Sequence, residues 1–172
     1  MNSLPDFSQI KGFVLDVDGV LTDGSVIVME NGDQVRLMNI KDGYALQLAV
    51  KCGYTLGIIS GGRSLGVKHR LQGLGIQHIY MGSGEKLPVF QQFLETSGLL
   101  PNEVIYIGDD MPDIPVMQAA GISIAPADAS SDVRKIATWV SEINGGKGCV
   151  REVIEMVMKA QGRWYASDSF IW

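Results

Sequence analysis

The chain has 172 residues, 46% of them hydrophobic and 19% charged, with a formal net charge of −5. That length supports one domain with a substantial core, and the balance is that of a soluble globular protein. An acidic chain lacks the basic face that nucleic acid or an anionic membrane demands, and no apolar run approaches the roughly 18 residues that cross a bilayer. The first eleven residues, Pro5 and Asp6 among them, lack the basic-then-apolar order of a secretory signal. Cys52 and Cys149 stand far apart and in no C-x-x-C pattern, so the expectation is a cytoplasmic protein with reduced thiols.

Phe13-Val14-Leu15 is a short apolar run ending at Asp16, the pattern of a buried strand with a polar tip. From Gly24 to Ile40, two β-rich runs flank Asn31-Gly32, which predicts a hairpin. Its flanks, with Val26, Ile27, Val28, Val35 and Leu37, are too apolar for a ribbon standing free in water. A helix follows over 42–51, capped by Gly53, then a strand over 56–59 running into Ser60-Gly61-Gly62. Helices over 64–74 and 85–96 enclose a strand at 79–81, and Pro88 is tolerable in a first turn. Strands at 104–107 and 122–125 enclose a helix around 116–120, and a last helix spans 150–161. Strands alternating with helices predict an α/β fold, a three-layer doubly wound parallel sheet. In such sheets ligands bind at the carboxyl ends of the strands, so Asp16, Asp18, Ser60, Gly61, Asp109 and Asp110 should converge.

Asp16-Val-Asp18-Gly19 sets two carboxylates two apart at a strand tip, with a glycine that permits a turn. Clustered carboxylates need a cation between them, and hard oxygen ligands favour Mg²⁺. Read alone, the segment also fits an Asp- and Gly-rich turn. Gly108-Asp109-Asp110, with Asp113 behind it, is a second acidic cluster, and Asp113 by itself fits a helix cap. Two such clusters at two strand tips of one sheet favour the metal. Ser60 and the amides of the loop after it can hold a phosphate at a helix N-terminus. Lys86 opens a helix against the dipole, which suits an anion beside it. Gly145-Gly-Lys147-Gly148 lacks the P-loop spacing, and His69 and His78 fall in no ligand pattern.

In order, Asp16-Val-Asp18-Gly, Ser60, Lys86 and Gly108-Asp109-Asp110 resemble the four motifs of the haloacid dehalogenase superfamily. The runs from Asp16 to Gly24, Lys41-Asp42-Gly43-Tyr44, Ala125-Pro-Ala-Asp128 and Gly145 to Glu152 extend the likeness over nearly the whole chain. They resemble its small capless branch, which hydrolyses 3-deoxy-D-manno-octulosonate (KDO) 8-phosphate in lipopolysaccharide synthesis. The resemblance implies one catalytic domain over 1–172, a hairpin after the first strand and no cap. It implies Asp16 as nucleophile, Asp18 as acid/base and Lys86 as a catalytic cation. Mg²⁺ would be held by Asp16, the Asp18 carbonyl and Asp109, with Asp110 and Asp113 behind them. Ser60, Gly61, Arg63 and Asp42 would bind phosphate and sugar. It also implies a homotetramer, with hairpins paired and the aromatic tail 163–172, which carries Arg163, near a neighbour's site.

Many relatives have Thr-Gly-Arg in the second motif, whereas this chain has Ser60-Gly61-Gly62-Arg63, with arginine displaced by one. That departure bears on the sugar rather than on the chemistry. The alternatives are a phosphatase for a nine-carbon keto-deoxy sugar acid 9-phosphate and a non-catalytic tetramerising module, which would tend to lose one of Asp16, Asp18, Lys86 or Asp109.

Overall fold

The computed structural model describes residues 4–165 and 170. In chain order its elements are β1 (Gly12–Leu15), a hairpin of β2 (Ile27–Val28) and β3 (Gln34–Val35), α1 (Ile40–Lys51), β4 (Thr55–Ser60), α2 (Leu65–Gly73) and β5 (His78–Met81). There follow α3 (Lys86–Ser97), β6 (Val104–Ile107), α4 (Ile114–Ala119), β7 (Ile122–Ala125), α5 (Ser131–Ile136), β8 (Trp139–Val140) and α6 (Cys149–Ala160). Six strands form one parallel sheet in the order β5-β4-β1-β6-β7-β8. β1 is therefore central, with Leu15 beside Ile58 on one side and Ile107 on the other. The chain steps outward from β1 in one direction and then in the other, and the switch point lies at the carboxyl end of β1. No separate cap stands over that edge among the described residues.

The strands are apolar throughout because both faces are covered. Phe13, Leu15, Leu56, Ile58, Ile105 and Ile107 face one core with Leu46, Leu71, Ile154 and Val157 from α1, α2 and α6. Val14, Ile59, Val104 and Tyr106 face the other, with Phe90, Phe93, Met117 and Val133 from α3, α4 and α5. The alternation at single-residue steps is the pleat itself.

Three local outcomes differ from the expectations. The hairpin turn is not a two-residue Asn-Gly turn: Met29 N–H donates to Asp33 O at 2.8 Å, and Gly32 N–H donates to Met29 O at 2.9 Å. Gly32 has φ of 87°, while no described non-glycine residue has positive φ, so Asn31 stays right-handed and Gly32 takes the bulge. Helix α5 and strand β8 were not anticipated. One is a single six-residue helix and the other two residues long, both shorter than a hydrophobic period can reveal.

The third concerns Asp42, expected at the substrate. It is 1% exposed, and its Oδ1 accepts Arg151 N–H at 2.7 Å. The N-cap of α6 is Gly148, which has no side chain, so Asp42 in the first turn of α1 supplies the cap from outside. Burial raises its pKa, against the Arg151 and Gly148 N–H groups that favour the charge. The tail is likewise used within the chain. Arg163 donates to the Cys52 carbonyl and stacks 4.7 Å over Tyr54, and Trp164 packs edge-on against Tyr44. Arg163 is thus engaged at the end of α1, and the remaining tail positions, Phe170 apart, lie outside the described residues. Asp42→Ala should cost about 0.5–2 kcal/mol in denaturant unfolding, the usual cost of a lost cap, and Asp42→Asn should retain most of it. KM for a phosphate ester should be unchanged in both; a raised KM in Asp42→Asn at unchanged stability would return Asp42 to the site.

Candidate active site

The site forms where the loops after β1, β4, β5 and β6 meet. The pairing of β1 with β6 runs one residue past the strand, Asp16 N–H donating to Ile107 O at 3.0 Å. The Val17 carbonyl then accepts N–H groups from Val20, Leu21 and Thr22, which coils the chain at once. Gly19 makes this possible. Its φ is 85°, and a Cβ there would stand 2.0 Å from Asp109 Oδ2. Only a glycine lets the β1 and β6 loops approach so closely.

Ser60 closes β4 and is buried, its Oγ accepting Gly62 N–H at 3.1 Å. The Ser60 and Gly62 carbonyls accept Ser83 and Gly82 N–H at 2.9 Å each, tying this loop to the one after β5. Lys86 is the first residue of α3 and reaches into the centre. Its Nζ lies 2.8 Å from Asp16 Oδ2 and 2.7 Å from Asp113 Oδ1. Asp113 also accepts the Tyr106 hydroxyl at 2.6 Å, and its Oδ2 takes the N–H of Asp109 at 3.1 Å and of Asp110 at 3.3 Å. Asp16, Asp18, Ser60, Gly61, Lys86, Asp109, Asp110 and Asp113 line one open cleft of about 430 Å³.

The electrostatics follow from crowding. Burial first, then the Asp113 charge, raises Asp16 to about 6 despite the opposing pull of Lys86. Burial, then Asp16 and Asp113, raises Asp109 to about 7. Burial would lower Lys86, but Asp16 and Asp113 outweigh it, so the ammonium is held charged. One oxygen from each of Asp16, Asp109 and Asp113 lies within 4.8 Å of the others. Of these, Asp113 carries Lys86, Tyr106 and two amides, while Asp16 carries Lys86 and the Val17 N–H, so Asp16 and Asp109 keep more acceptor capacity for a cation. An all-oxygen pair of crowded carboxylates fits Mg²⁺.

Two placements were not legible beforehand, and a third carried a signal. Arg63 does not line this cleft. It lies along Gly82 and lines a neighbouring cavity of about 850 Å³ with Arg36 and Arg70. Arg36, at the end of the hairpin, holds Asp18 in a two-pronged ion pair, Nε to Oδ1 at 2.7 Å and Nη2 to Oδ2 at 3.1 Å. Nothing local marks it, since an arginine just past a two-residue strand reads as a solvated side chain. Tyr106 did carry a signal: a phenol in an otherwise aliphatic buried strand requires a partner for its hydroxyl.

The chain is similar to known proteins over most of its length. Residues 72–154 match a family described as haloacid dehalogenase-like hydrolase. The 3-deoxy-D-manno-octulosonate 8-phosphate phosphatase KdsC of Escherichia coli K12 is 40% identical over 155 residues, 90% of this chain and 82% of that one. The crystal structure of the corresponding phosphatase from Yersinia pestis superposes with a TM-score of 0.91 at 36% identity, over 93% of this chain and 86% of that one. That from Moraxella catarrhalis, in complex with magnesium ion, phosphate ion and KDO, superposes at 0.89 with 35% identity, over 96% and 93%.

Asp16 and Asp109 bind protons more tightly folded than unfolded. Their contribution to stability is therefore complete below pH of about 4 and is lost as pH rises through about 6 and 7. A Mg²⁺ ion held by the ionised pair would reverse that loss. The gain in melting temperature on adding Mg²⁺ to chelator-treated protein should be larger at pH 8 than at pH 5. An equal or smaller gain at pH 8 would exclude these carboxylates as the ligands.

Proposed function

Because the chain belongs to the haloacid dehalogenase-like hydrolases, we propose that it is a Mg²⁺-dependent phosphatase that releases phosphate from 3-deoxy-D-manno-octulosonate 8-phosphate. The observation that carries this reading is the convergence of Asp16, Asp18, Ser60, Lys86 and Asp109 on one cleft, in a chain 40% identical to such a phosphatase. Residues 1–172 act as one catalytic unit, and the reaction belongs to the cytoplasmic synthesis of the sugar acid.

Asp16 attacks phosphorus through a carboxylate oxygen, and the bond from phosphorus to the sugar oxygen breaks. Asp18 gives its proton to that departing oxygen. Water then attacks the phosphorus of the aspartyl-phosphate, Asp18 takes a proton from it, and the bond from Asp16 to phosphorus breaks. Bound Mg²⁺ lowers the repulsion between nucleophile and phosphate and stabilises the charge that develops on the phosphoryl oxygens. Lys86 neutralises the same charge. Ser60 and the Gly61 amide hold the phosphoryl group. Asp113, fixed by Tyr106 and two amides, keeps Lys86 aimed at Asp16. All the carboxylates and the lysine that a non-catalytic module would tend to lose are present.

The hairpin supports assembly with other copies. Val28 is 69% and Leu37 70% exposed, and Val26, Ile27, Met29 and Val35 are exposed beside them. A two-stranded ribbon with that surface is unstable in water, and pairing with the hairpins of further copies covers it and removes its edges. The protein is a homotetramer on this reading.

Phosphate release from the eight-carbon 8-phosphate should exceed release from a nine-carbon keto-deoxy sugar acid 9-phosphate, and it should vanish on chelation and return with Mg²⁺. Asp16→Asn should abolish it, and Asp18→Asn should lower kcat on the order of 10²–10⁴-fold. Near-normal turnover by Asp16→Asn would refute the covalent route, and preference for the nine-carbon ester would reassign the substrate. Light scattering should give four chains, and a monomer at working concentration would remove the role given to the hairpin.

A further inference from the structure

Two segments far from the cleft in sequence, the loop after β7 and the stretch that leads into α6, meet behind its acidic edge. Gly19 is crowded there by two neighbours. A Cβ on Gly19 would stand 2.0 Å from Asp109 Oδ2, and a Cβ on Gly145 would stand 1.8 Å from the Gly19 carbonyl oxygen and 3.0 Å from that of Thr22. Gly146 adds a direct bond, its N–H donating to the Val20 carbonyl at 2.9 Å, and a Cβ there would meet the Thr22 and Asp23 backbone at 2.5 Å. The coil that carries Asp16 and Asp18 thus rests on the backbone of 145–146, with no space for a side chain between them.

The loop after β7, residues 126–130, reaches both sides of the acidic edge. Ser130 N–H donates to the Asp109 carbonyl at 2.8 Å, and Ala127 N–H donates to the Ile143 carbonyl at 3.1 Å. Asp128 Oδ1 accepts Gly145 N–H at 2.9 Å. Gly145 is buried, so its N–H requires an acceptor, and Asp128, itself exposed, supplies one. One short loop therefore fixes the residue that bears one carboxylate of the pair and, through Gly145, the coil that bears the other. The Ser130 and Ala127 contacts are made by backbone, so Asp128 is the side chain on which the linkage turns. We propose that Asp128 is a positioning residue for the metal: acting through Gly145, it holds the β1 coil at a set separation from Asp109, and that separation favours Mg²⁺ over a larger divalent cation. This rests on the Mg²⁺ dependence in the function proposed above. Mg²⁺ demands near-ideal geometry at about 2.0–2.1 Å, whereas Ca²⁺ accepts irregular oxygen shells at about 2.3–2.6 Å. When Gly145 loses its acceptor, the coil is free to draw back from Asp109, which harms Mg²⁺ more than Ca²⁺.

The test is calorimetric titration of the chelator-treated chain with MgCl₂ and with CaCl₂, for the wild type, Asp128→Ala, Asp128→Asn and Asp128→Glu. Mg²⁺ affinity should weaken about tenfold in Asp128→Ala, the lower end of what partners of metal ligands contribute, and Ca²⁺ affinity should weaken less. The ratio of Mg²⁺ to Ca²⁺ affinity should therefore fall. Asp128→Asn keeps the acceptor oxygen and should keep the ratio. Asp128→Glu keeps the charge but displaces the oxygen and should lower the ratio as Asp128→Ala does, so it decides the matter if Asp128→Ala does not fold. In the phosphatase assay the Mg²⁺ concentration for half activation should rise in step, while kcat at saturating Mg²⁺ should stay near that of the wild type. Equal weakening of both cations, or of neither, in folded Asp128→Ala and Asp128→Glu would overturn the proposal, and so would Asp128→Asn behaving like Asp128→Ala. A wild type whose cation preference depends on Asp128 but which releases no phosphate from the 8-phosphate would refute the function and leave the positioning role standing.

Discussion

Lys86 lies buried between two carboxylates, 2.8 Å from Asp16 and 2.7 Å from Asp113, and the architecture of the site is built around that bridge. A buried ammonium is tolerable only when it is paired, and two buried carboxylates are tolerable only with a cation between them. The bridge joins the tip of β1, the start of α3 and the turn after β6, three segments that share no local sequence. It also explains a lysine at a helix N-terminus, where the dipole opposes it, since two acids lie directly in front. Asp113 is anchored in turn by Tyr106 from within β6 and by the amides of Asp109 and Asp110. The cation-binding edge is therefore shaped before any metal arrives, and the cost of that shape appears as the raised affinity of Asp16 and Asp109 for protons.

Close approach of the β1 and β6 loops depends on Gly19 in the same way that charge balance depends on Lys86. The glycine admits the Asp109 carboxylate to within a distance that no side chain would allow. Parallel strands bring the two loops to one edge, and the strand order places that edge at the switch point, where the loops splay and leave a cleft. Fold and chemistry meet there because backbone topology supplies proximity while side chains supply charge.

The hairpin contributes little to either core, and its value lies outward and inward at once. Outward, it exposes valines and a leucine. Inward, Arg36 reaches Asp18 over the empty side of Gly62. One short element thus carries both an exposed apolar surface and the arginine that pairs with Asp18.

Much of this was determined by the sequence itself. The apolar runs at 13–15, 56–59 and 104–107, each ending in polar or glycine residues, announce buried parallel strands with a site at their tips, because burial on both faces leaves no alternation to mistake. Asp16, Asp18, Ser60, Lys86 and Asp109 could be named because each stands at a fixed offset from such a strand or helix end. Tertiary structure alone decided the partners. Asp42 lies in a run that resembles the family's site, yet 109 residues separate it from the Arg151 amide that it caps. Arg36 meets Asp18 only because the hairpin folds back over the β4 loop, and Arg63 leaves the cleft because Gly82 gives it a surface to lie on. Local spacing records which face of an element a residue occupies. The pairing of faces across the chain is settled by packing, in which many distant contacts form together and none is written in the sequence beside it.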